Sequence, residues 1–455
     1  MVNGSRMNSH WRGFRTQSLA ALALFFISGF AICNAQQPTD TICPNLYELD
    51  VNGSTYKIPY CRNWTFDSIQ PQAKKAVISI HGASRTAVDQ YDWAVEAASL
   101  VPGASDSTII VVPHLLIEPD LIYHGLSQDY FHWVDDGDGW KYGYDSDSTT
   151  TYPKTDRISS FAVVDSFIAK IVAVCPNLEK IVFYGHSGGG QFVGRYAAGN
   201  RIEELYHDSI SFRYVVANPS TYMYFDGERR IPGSLDQFAI PDSAAIANCP
   251  NYDRYKFGLS DLDSCWYMIS TTPAAITSQF EEREYVLLLG TLDNDPADTT
   301  MDQSCKAAFL GDHRLERGII YFNYIQEFFG PGILSNHYID TVPGVDHSAH
   351  DMLVSQQGLD FVFGDFVPNS RPSWLFPAFS ASVYPNPAGE SLKIGLPGIS
   401  SAKITCMDSF GRKVQEWEWN SPGLTINVSD LNAGGYWLRI ESAEGKGSAF
   451  FLKIE

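Results

Sequence analysis

The 455-residue sequence has few basic residues and lacks the motifs of several common protein classes. Its 32 lysines and arginines stand against 52 aspartates and glutamates, which gives a net charge of −20. An acidic surface without a basic cluster argues against nucleic acid or an anionic membrane as a partner. The sequence also has no C-x-x-C pair, no H-E-x-x-H and no G-x-G-x-x-G turn, so we expect no metal ion and no other cofactor.

A hydrophobic run long enough to cross a membrane is also missing. The apolar run at residues 19–32 follows three arginines and is shorter than the ~20 residues that a membrane span needs. Ala35 then offers a small residue at a suitable cleavage position. We therefore predict a signal peptide at residues 1–35 and a mature protein without a transmembrane segment. Removal of three arginines and no acidic residue changes the net charge from −20 to −23.

From about residue 74, short β-branched runs alternate with longer amphipathic ones, a pattern typical of parallel strands joined by helices. Helices are predicted at residues 158–174 and directly after Ser187. The pattern predicts an α/β fold over residues 36–367, with a mostly parallel sheet flanked by helices. Within this domain, the aromatic-rich residues 219–282 are a candidate lid. The candidate strands are residues 76–82, 107–114, 180–186, 211–219 and 284–291.

The stretch GHSGG at residues 185–189 fits the G-x-S-x-G pattern, which presents a serine hydroxyl at the carboxyl end of a strand. An apolar run before it and helix-forming residues after it are the context that this turn requires. A serine hydroxyl is a poor nucleophile at neutral pH, so Ser187 needs a histidine base and an acid that orients this base.

The acid is predicted from an aspartate cluster that directly follows the candidate strand at residues 284–291. Asp293 is the first choice, and Asp295 is the alternative. A calcium-binding loop is a further interpretation, because Asp298 and Asp302 follow closely.

The base is predicted from the later stretch GVDHSAHD. His347 follows a Gly-Val-Asp turn and is the first choice, and His350 is the alternative. Both histidines, with Asp346 and Asp351, would also suit a metal ion, but no convincing third ligand supports that interpretation.

Backbone amides are needed to stabilise the negative charge that develops on a tetrahedral intermediate. The amide of Gly188, directly after the serine, would be one donor. The HGAS turn after the strand at residues 76–82 would supply the other donor of this oxyanion hole, from Ala83 or Ser84. The long loop at residues 131–148 is expected at the same sheet edge.

The segments SIHGAS, YGHSGGGQF, LLGTLDND and PGVDHS resemble the α/β-hydrolase superfamily over roughly residues 74–365. The resemblance implies a nucleophile, Ser187, a base, His347, and an acid, Asp293. It implies a serine hydrolase that cleaves a carboxylic ester, either a small molecule or a carbohydrate or polymer ester. The alternatives are a serine peptidase of the same fold and a catalytically inactive surface protein that binds a ligand.

Two further features bear on the site and its surroundings. Trp133 and Trp140 in the loop at residues 131–148 are candidate substrate contacts. Because export permits disulfides, Cys43 and Cys61 are expected to bracket a hairpin around an Asn-Gly turn. One more pair is expected among three cysteines, and the sequence does not choose between them: Cys249, Cys265 and Cys305.

The C-terminal region differs in character from the rest of the chain. Residues 368–380 are proline-rich and predict a linker. Residues 381–455 alternate apolar and polar residues between glycine turns, which predicts a small antiparallel β-sandwich. Its motifs YPNP, DSFGRKV, LNAGGYWLRI and FFLKIE resemble the C-terminal sorting domain of the type IX (Por) secretion system. The resemblance implies passage through the periplasm and across the outer membrane by that machinery, to the medium or the cell surface. An adhesive or carbohydrate-binding sandwich is the alternative.

Overall fold

A computed structural model describes most of the chain after the predicted signal peptide. The predicted signal peptide (residues 1–35) and linker (residues 368–380) lie outside the described residues, so these assignments and the domain boundaries stay predictions. None of the helices in the described part of the chain has both the length and the apolar character needed to cross a membrane. The described residues are 37–135, 137, 139–364, 381–396, 401–408, 412–420, 425–442 and 446–454.

One large sheet organises the chain up to residue 364. The strands of this region are β1 (Asn45–Val51), β2 (Ser54–Arg62), β3 (Lys75–Ile80), β4 (Thr108–Pro113), β5 (Lys180–His186), β6 (Ser211–Ala217), β7 (Arg229–Arg230), β8 (Phe238–Ala239), β9 (Tyr285–Gly290) and β10 (His337–Val342). Eight of them form the sheet in the order β1-β2-β4-β3-β5-β6-β9-β10, and β7 pairs with β8 separately. Strand β2 is antiparallel to both of its neighbours, whereas β4, β3, β5, β6, β9 and β10 pair in parallel in that order. This is the strand order of an α/β-hydrolase, and the predicted fold class is confirmed.

Helices connect these strands. They are α1 (Ala87–Leu100), α2 (Ala104–Ser107), α3 (Glu118–His124), α4 (Ser160–Val174), α5 (Gly188–Gly199), α6 (Ile202–Tyr206), α7 (Ser243–Asn248), α8 (Trp266–Ile269), α9 (Pro273–Glu282), α10 (Cys305–Ala308), α11 (Arg314–Phe329), α12 (Ala349–Val354) and α13 (Gln356–Val362). The helix predicted at residues 158–174 is α4. It begins at Ser160 because the Ser159 hydroxyl caps it by accepting a hydrogen bond from the amide of Phe161.

Both faces of the sheet are buried. In β5, Ile181 and Phe183 belong to the larger hydrophobic cluster, and Val182 and Tyr184 belong to a second cluster. Because successive strand residues point to opposite faces, the two clusters lie on the two sides of the sheet. This double burial explains why the strands of the sequence read as continuous apolar runs.

The aromatic residues near the predicted site are mostly core residues. Trp133 and Trp140 are 1% and 0% exposed, so their prediction as substrate contacts is wrong. The indole nitrogen of Trp140 donates to Asp135 Oδ1 at 3.1 Å. Residues 219–282 form an insertion between β6 and β9 that contains β7, β8 and α7 to α9. Tyr222 and Tyr224 of this insertion are also buried, and its role as a lid stays a prediction.

Two disulfides brace the α/β domain. The predicted hairpin is β1 and β2, and both turn residues, Asn52 and Gly53, have left-handed backbone angles, as a tight hairpin turn requires. Cys43 is bonded to Cys61 across this hairpin. The second pair, which the sequence left open, is Cys249–Cys305. The buried Cys265 stays outside both disulfides, and its thiol donates to the carbonyl oxygen of Gly143.

The C-terminal region consists of two antiparallel sheets with a core of their own. The strands are β11 (Ser382–Tyr384), β12 (Ser391–Gly395), β13 (Ala402–Asp408), β14 (Lys413–Trp419), β15 (Thr425–Asn427), β16 (Gly434–Ser442) and β17 (Lys446–Lys453). One sheet has the order β11-β12-β15 and the other β14-β13-β16-β17. Side chains of both sheets meet in one hydrophobic cluster that includes Leu392, Ile404 and Leu438. This arrangement agrees with the predicted β-sandwich.

Candidate active site

Ser187 lies on a sharp turn between β5 and α5. Its backbone angles are φ 57° and ψ −116°, in a region that is strained for a residue with a side chain. Its amide donates to the carbonyl oxygen of Ala217 at the end of β6, at 2.9 Å. The reversal from strand to helix therefore projects the serine hydroxyl beyond the carboxyl end of the sheet.

Three glycines make this turn sterically feasible. A Cβ atom at Gly185 would overlap the carbonyl oxygen of Gly189, and one at Gly189 would overlap that of Ile80. At Gly190, a Cβ atom would lie 2.7 Å from the carbonyl oxygen of Ala217. The glycines of the sequence motif are therefore required by backbone segments that approach each other closely.

The side chains of Ser187, His347 and Asp293 form a continuous chain of hydrogen bonds. His347 Nε2 lies 2.9 Å from Ser187 Oγ, and His347 Nδ1 lies 2.6 Å from Asp293 Oδ2. A carboxylate only accepts hydrogen bonds, so Nδ1 carries the proton and Nε2 is left to accept the serine proton. Asp293 is 5% exposed, whereas the His347 side chain is 25% exposed and open to a substrate.

The two alternative residues lie elsewhere. Asp295 is exposed and its Oδ1 accepts a hydrogen bond from the amide of Ala297, so it stabilises a local turn. His350 is partly exposed, and its ring nitrogens contact Glu96 and Asp351. Neither side chain takes part in the hydrogen-bonded chain at Ser187.

The two predicted oxyanion donors lie side by side. A Cβ atom at Gly188 would be 3.0 Å from the backbone nitrogen of Ala83. Ala83 follows β3, and Gly188 is the first residue of α5, so the turn after β3 faces the amino end of this helix. Lys141, a buried side chain, passes the same point, with its Cδ 3.3 Å from that Cβ position and its Nζ 3.4 Å from Asp135.

A buried ion pair holds the turn that contains Ala83. Arg85 donates to both carboxylate oxygens of Asp120 and, through Nη1, to the carbonyl oxygen of Ala83 at 2.9 Å. Asp120 also accepts hydrogen bonds from the amides of Thr39 and Ile117, which satisfies its buried charge. This pair carries no signal in the sequence, because its members are 35 residues apart and belong to no motif.

Two further residues that carry no signal in the sequence contact the acid and the loop of the base. Arg314, 1% exposed at the start of α11, donates to Asp293 Oδ1 at 3.2 Å and also pairs with Asp298. Asn218, which follows β6, accepts a hydrogen bond from the amide of Gly290 and donates to the carbonyl oxygen of Asp346. These contacts join the ends of β6 and β9 to the loop of His347.

A second histidine ring packs against His347. The centroids of His186 and His347 are 4.5 Å apart. Burial holds the pKa of His186 well below its ordinary value, and the nearby His347 and Arg314 lower it further. His186 is therefore neutral beside the candidate base.

The described residues contain no group of three or more His, Cys, Asp or Glu side chains placed to hold a metal ion. In the loop first considered for calcium, Asp293 and Asp298 are instead engaged by Arg314. Asp302 accepts a hydrogen bond from the amide of Ser304.

The C-terminal strands belong to a known family. Residues 382–453 match the secretion system C-terminal sorting domain, Por_Secre_tail. The chain therefore carries a type IX secretion signal, which directs it to the cell surface or the medium. A search of curated proteins finds no match.

Several solved structures of hydrolytic enzymes resemble the chain. Poly(aspartic acid) hydrolase-1 from Sphingomonas sp. KT-1 is 21% identical, with a TM-score of 0.44 over 70% of this chain and 99% of that one. LpqC, a poly(3-hydroxybutyrate) depolymerase from Bordetella parapertussis, is 20% identical, with a TM-score of 0.45 over 72% and 92%. Siderophore hydrolase EstB from Aspergillus nidulans is 15% identical, with a TM-score of 0.37 over 73% and 99%. Similarity at this level does not identify a substrate.

Proposed function

We propose that the protein is an exported serine hydrolase that cleaves carboxylic esters through an acyl-enzyme. The observation that carries this proposal is the hydrogen-bonded chain from Ser187 Oγ through His347 to Asp293. Nucleophile, base and orienting acid within hydrogen-bond distance are what an activated serine needs. The sorting domain accounts for the export.

The reaction follows from these positions. Ser187 Oγ attacks the ester carbonyl carbon while His347 Nε2 takes the hydroxyl proton. Asp293 holds the ring and stabilises the imidazolium that forms. The amides of Gly188 and Ala83 donate to the oxyanion, and His347 then protonates the departing alcohol. Water attacks the resulting acyl-serine with His347 again as base, which releases the carboxylic acid and restores the serine.

Substitution of Ser187 tests the proposal. The protein is expected to hydrolyse 4-nitrophenyl butyrate and to be labelled at Ser187 by a fluorophosphonate. Ser187→Ala should lower kcat by at least about 10⁴-fold and abolish labelling, because the covalent step is lost. Ser105→Ala is a suitable control, since Ser105 is exposed and outside the hydrogen-bonded chain. The proposed activity would be refuted if the Ser187→Ala variant hydrolysed esters as fast as the wild-type protein. It would also be refuted if the folded wild-type protein neither hydrolysed esters nor reacted with the probe.

A further inference from the structure

Lysines and arginines of the α/β domain are nearly all engaged by polar partners. This is expected in an acidic protein, where each cation readily finds a carboxylate. Among the described residues 37–364, the basic side chains without a hydrogen bond or an ion pair are Lys170, Lys256 and Lys306. Two of these three, Lys256 and Lys306, contact the same aromatic ring.

Lys256 and Lys306 converge on one aromatic ring. Their Nζ atoms lie 5.6 Å and 5.9 Å from the centroid of Phe257. Lys256 Nζ also lies 3.9 Å from the centroid of Tyr142. Neither ammonium group is paired with a carboxylate among the described residues. An anionic group that contacts one or both of them would therefore meet positive charge that is not already neutralised.

The two-lysine cluster, defined as Lys256, Phe257 and Lys306, is connected to the first turn of α5 through Tyr142. The Tyr142 hydroxyl beneath Lys256 donates to Gln191 Oε1 at 3.3 Å, and the amide of Gln191 donates to the carbonyl oxygen of Ser187 at 3.0 Å. Lys256 is therefore separated from the turn of the nucleophile by Tyr142 and Gln191.

Lys306 approaches from the loop that follows the acid. It is the second residue of α10, beyond Asp302, whose amide donates to Ser220 Oγ at 2.7 Å. Ser220 follows β6 at the carboxyl edge of the sheet, the edge that also presents Ser187. The Cys249–Cys305 disulfide fixes the residue next to Lys306.

We propose that the two-lysine cluster is a subsite that binds a carboxylate of the substrate, so that the enzyme prefers esters with a negative charge. The inference rests on the proposed ester hydrolysis. A cationic subsite of this kind raises the local concentration of an anionic substrate near an otherwise acidic protein. The carboxylate belongs either to the acyl part or to the alcohol part of the ester, and the two cases need different substrates.

Matched pairs of esters test the subsite. For the acyl part, 4-nitrophenyl hydrogen suberate is compared with 4-nitrophenyl octanoate. For the alcohol part, 4-carboxyphenyl butyrate is compared with 4-acetylphenyl butyrate. A double variant that combines Lys256→Gln and Lys306→Gln should lower kcat/KM for the anionic ester of one pair about tenfold, as expected for a lost charged contact. The kcat/KM for the neutral ester of that pair should stay unchanged. The preference should also weaken as salt is added.

Lys170→Gln is the matched control. Lys170 also lacks a polar partner, but it is near the carboxyl end of α4, which leads to the start of β5 at the opposite edge of the sheet. Lys170→Gln should leave unchanged the ratio of kcat/KM for the anionic ester to kcat/KM for the neutral ester. If the wild-type protein hydrolyses neutral esters but the double variant keeps this ratio in both pairs, the subsite is refuted and the hydrolase stands. If no ester is hydrolysed, both proposals fail.

Discussion

At the scale of single residues, Asp293 differs from its neighbour Asp295 in having a separate partner for each carboxylate oxygen. Oδ2 faces His347 and Oδ1 faces Arg314. A carboxylate held at both oxygens has a fixed orientation, and a base is effective only if the acid keeps its ring in position. We therefore regard Arg314 as a positioning residue that acts through Asp293.

Replacement of Arg314 should lower kcat more than it changes KM. Arg314→Gln removes the donor at Asp293 Oδ1, and we expect kcat for 4-nitrophenyl butyrate to fall about 10- to 100-fold, as for other supports of catalytic groups. Arg314→Lys, which keeps the charge, should recover part of this loss.

Arg317 provides the control for that experiment. It is equally buried on the same helix, but it donates to the backbone carbonyl oxygens of Gly311, Ser220 and Asp302. Arg317→Gln is expected to lower the unfolding temperature and to have little effect on kcat of the folded protein. An equal loss of kcat in both variants would mean that Arg314 supports only the fold.

At the scale of elements, the predicted strands were correct in place, but two of them were clearly too long at the carboxyl end. The predicted strands at 76–82 and 211–219 end in the structure at Ile80 and Ala217. After β3, the chain turns away as the ring of His81 accepts a hydrogen bond from the amide of Leu115, and after β6, Asn218 has φ 42°. Hydrophobic pattern marks where a strand is buried, but the local sequence does not show where a catalytic loop leaves the sheet.

The same limit applies to the candidate site. The G-x-S-x-G motif predicted Ser187 from local sequence, because its glycines have a local steric reason. Arg85, Asn218 and Arg314 carry no such signal, since each acts on a residue distant in sequence. The choice of Asp293 over Asp295 likewise depends on which carboxylate can reach His347, and this is set by tertiary structure.

A partly buried carboxylate links three helices and should make stability depend on pH. Asp165 of α4 accepts hydrogen bonds from the hydroxyls of Tyr196 on α5 and Tyr267 on α8. Burial raises the pKa of Asp165 to about 6, despite these two donors. Between about pH 4 and pH 6, the Asp165 carboxyl therefore keeps its proton in the folded state, whereas it has lost this proton in the unfolded chain.

Stability from Asp165 should be greatest below about pH 4 and should fall as the pH rises through about 6. Denaturant unfolding at pH 4.5 and pH 7.5 measures this dependence. Asp165→Asn should reduce the difference in the free energy of unfolding between these two pH values by about 2 kcal/mol. Asp92→Asn, at an exposed position of α1, should keep the wild-type difference. The same pH dependence in wild type and Asp165→Asn would contradict the assignment.

At the scale of the whole molecule, catalysis and export are assigned to different cores. The buried residues of the sorting-domain cluster all lie between positions 388 and 451. The candidate active site draws only on residues before position 351. A compact unit with its own core can fold by itself, so the two functions should be separable.

A chain that ends at residue 380 should therefore keep its kcat for 4-nitrophenyl butyrate within about twofold and should no longer reach the medium or the cell surface. Cell fractionation and assays of purified protein measure the two properties. A full-length Ile404→Asp variant, which puts a charge into the core of the sorting domain, should behave in the same way. Loss of activity in the purified truncated chain would show that the α/β domain depends on the sorting domain.

The tight packing around the nucleophile turn also bears on how relatives can be recognised in genome sequences. At Gly185, Gly189 and Gly190, even a methyl side chain would collide with main-chain atoms. We therefore expect relatives to keep glycine at these three positions, whereas the surrounding side chains can vary. A search that weights glycine two residues before the serine, and two and three residues after it, should retrieve distant relatives that overall identity leaves undetected.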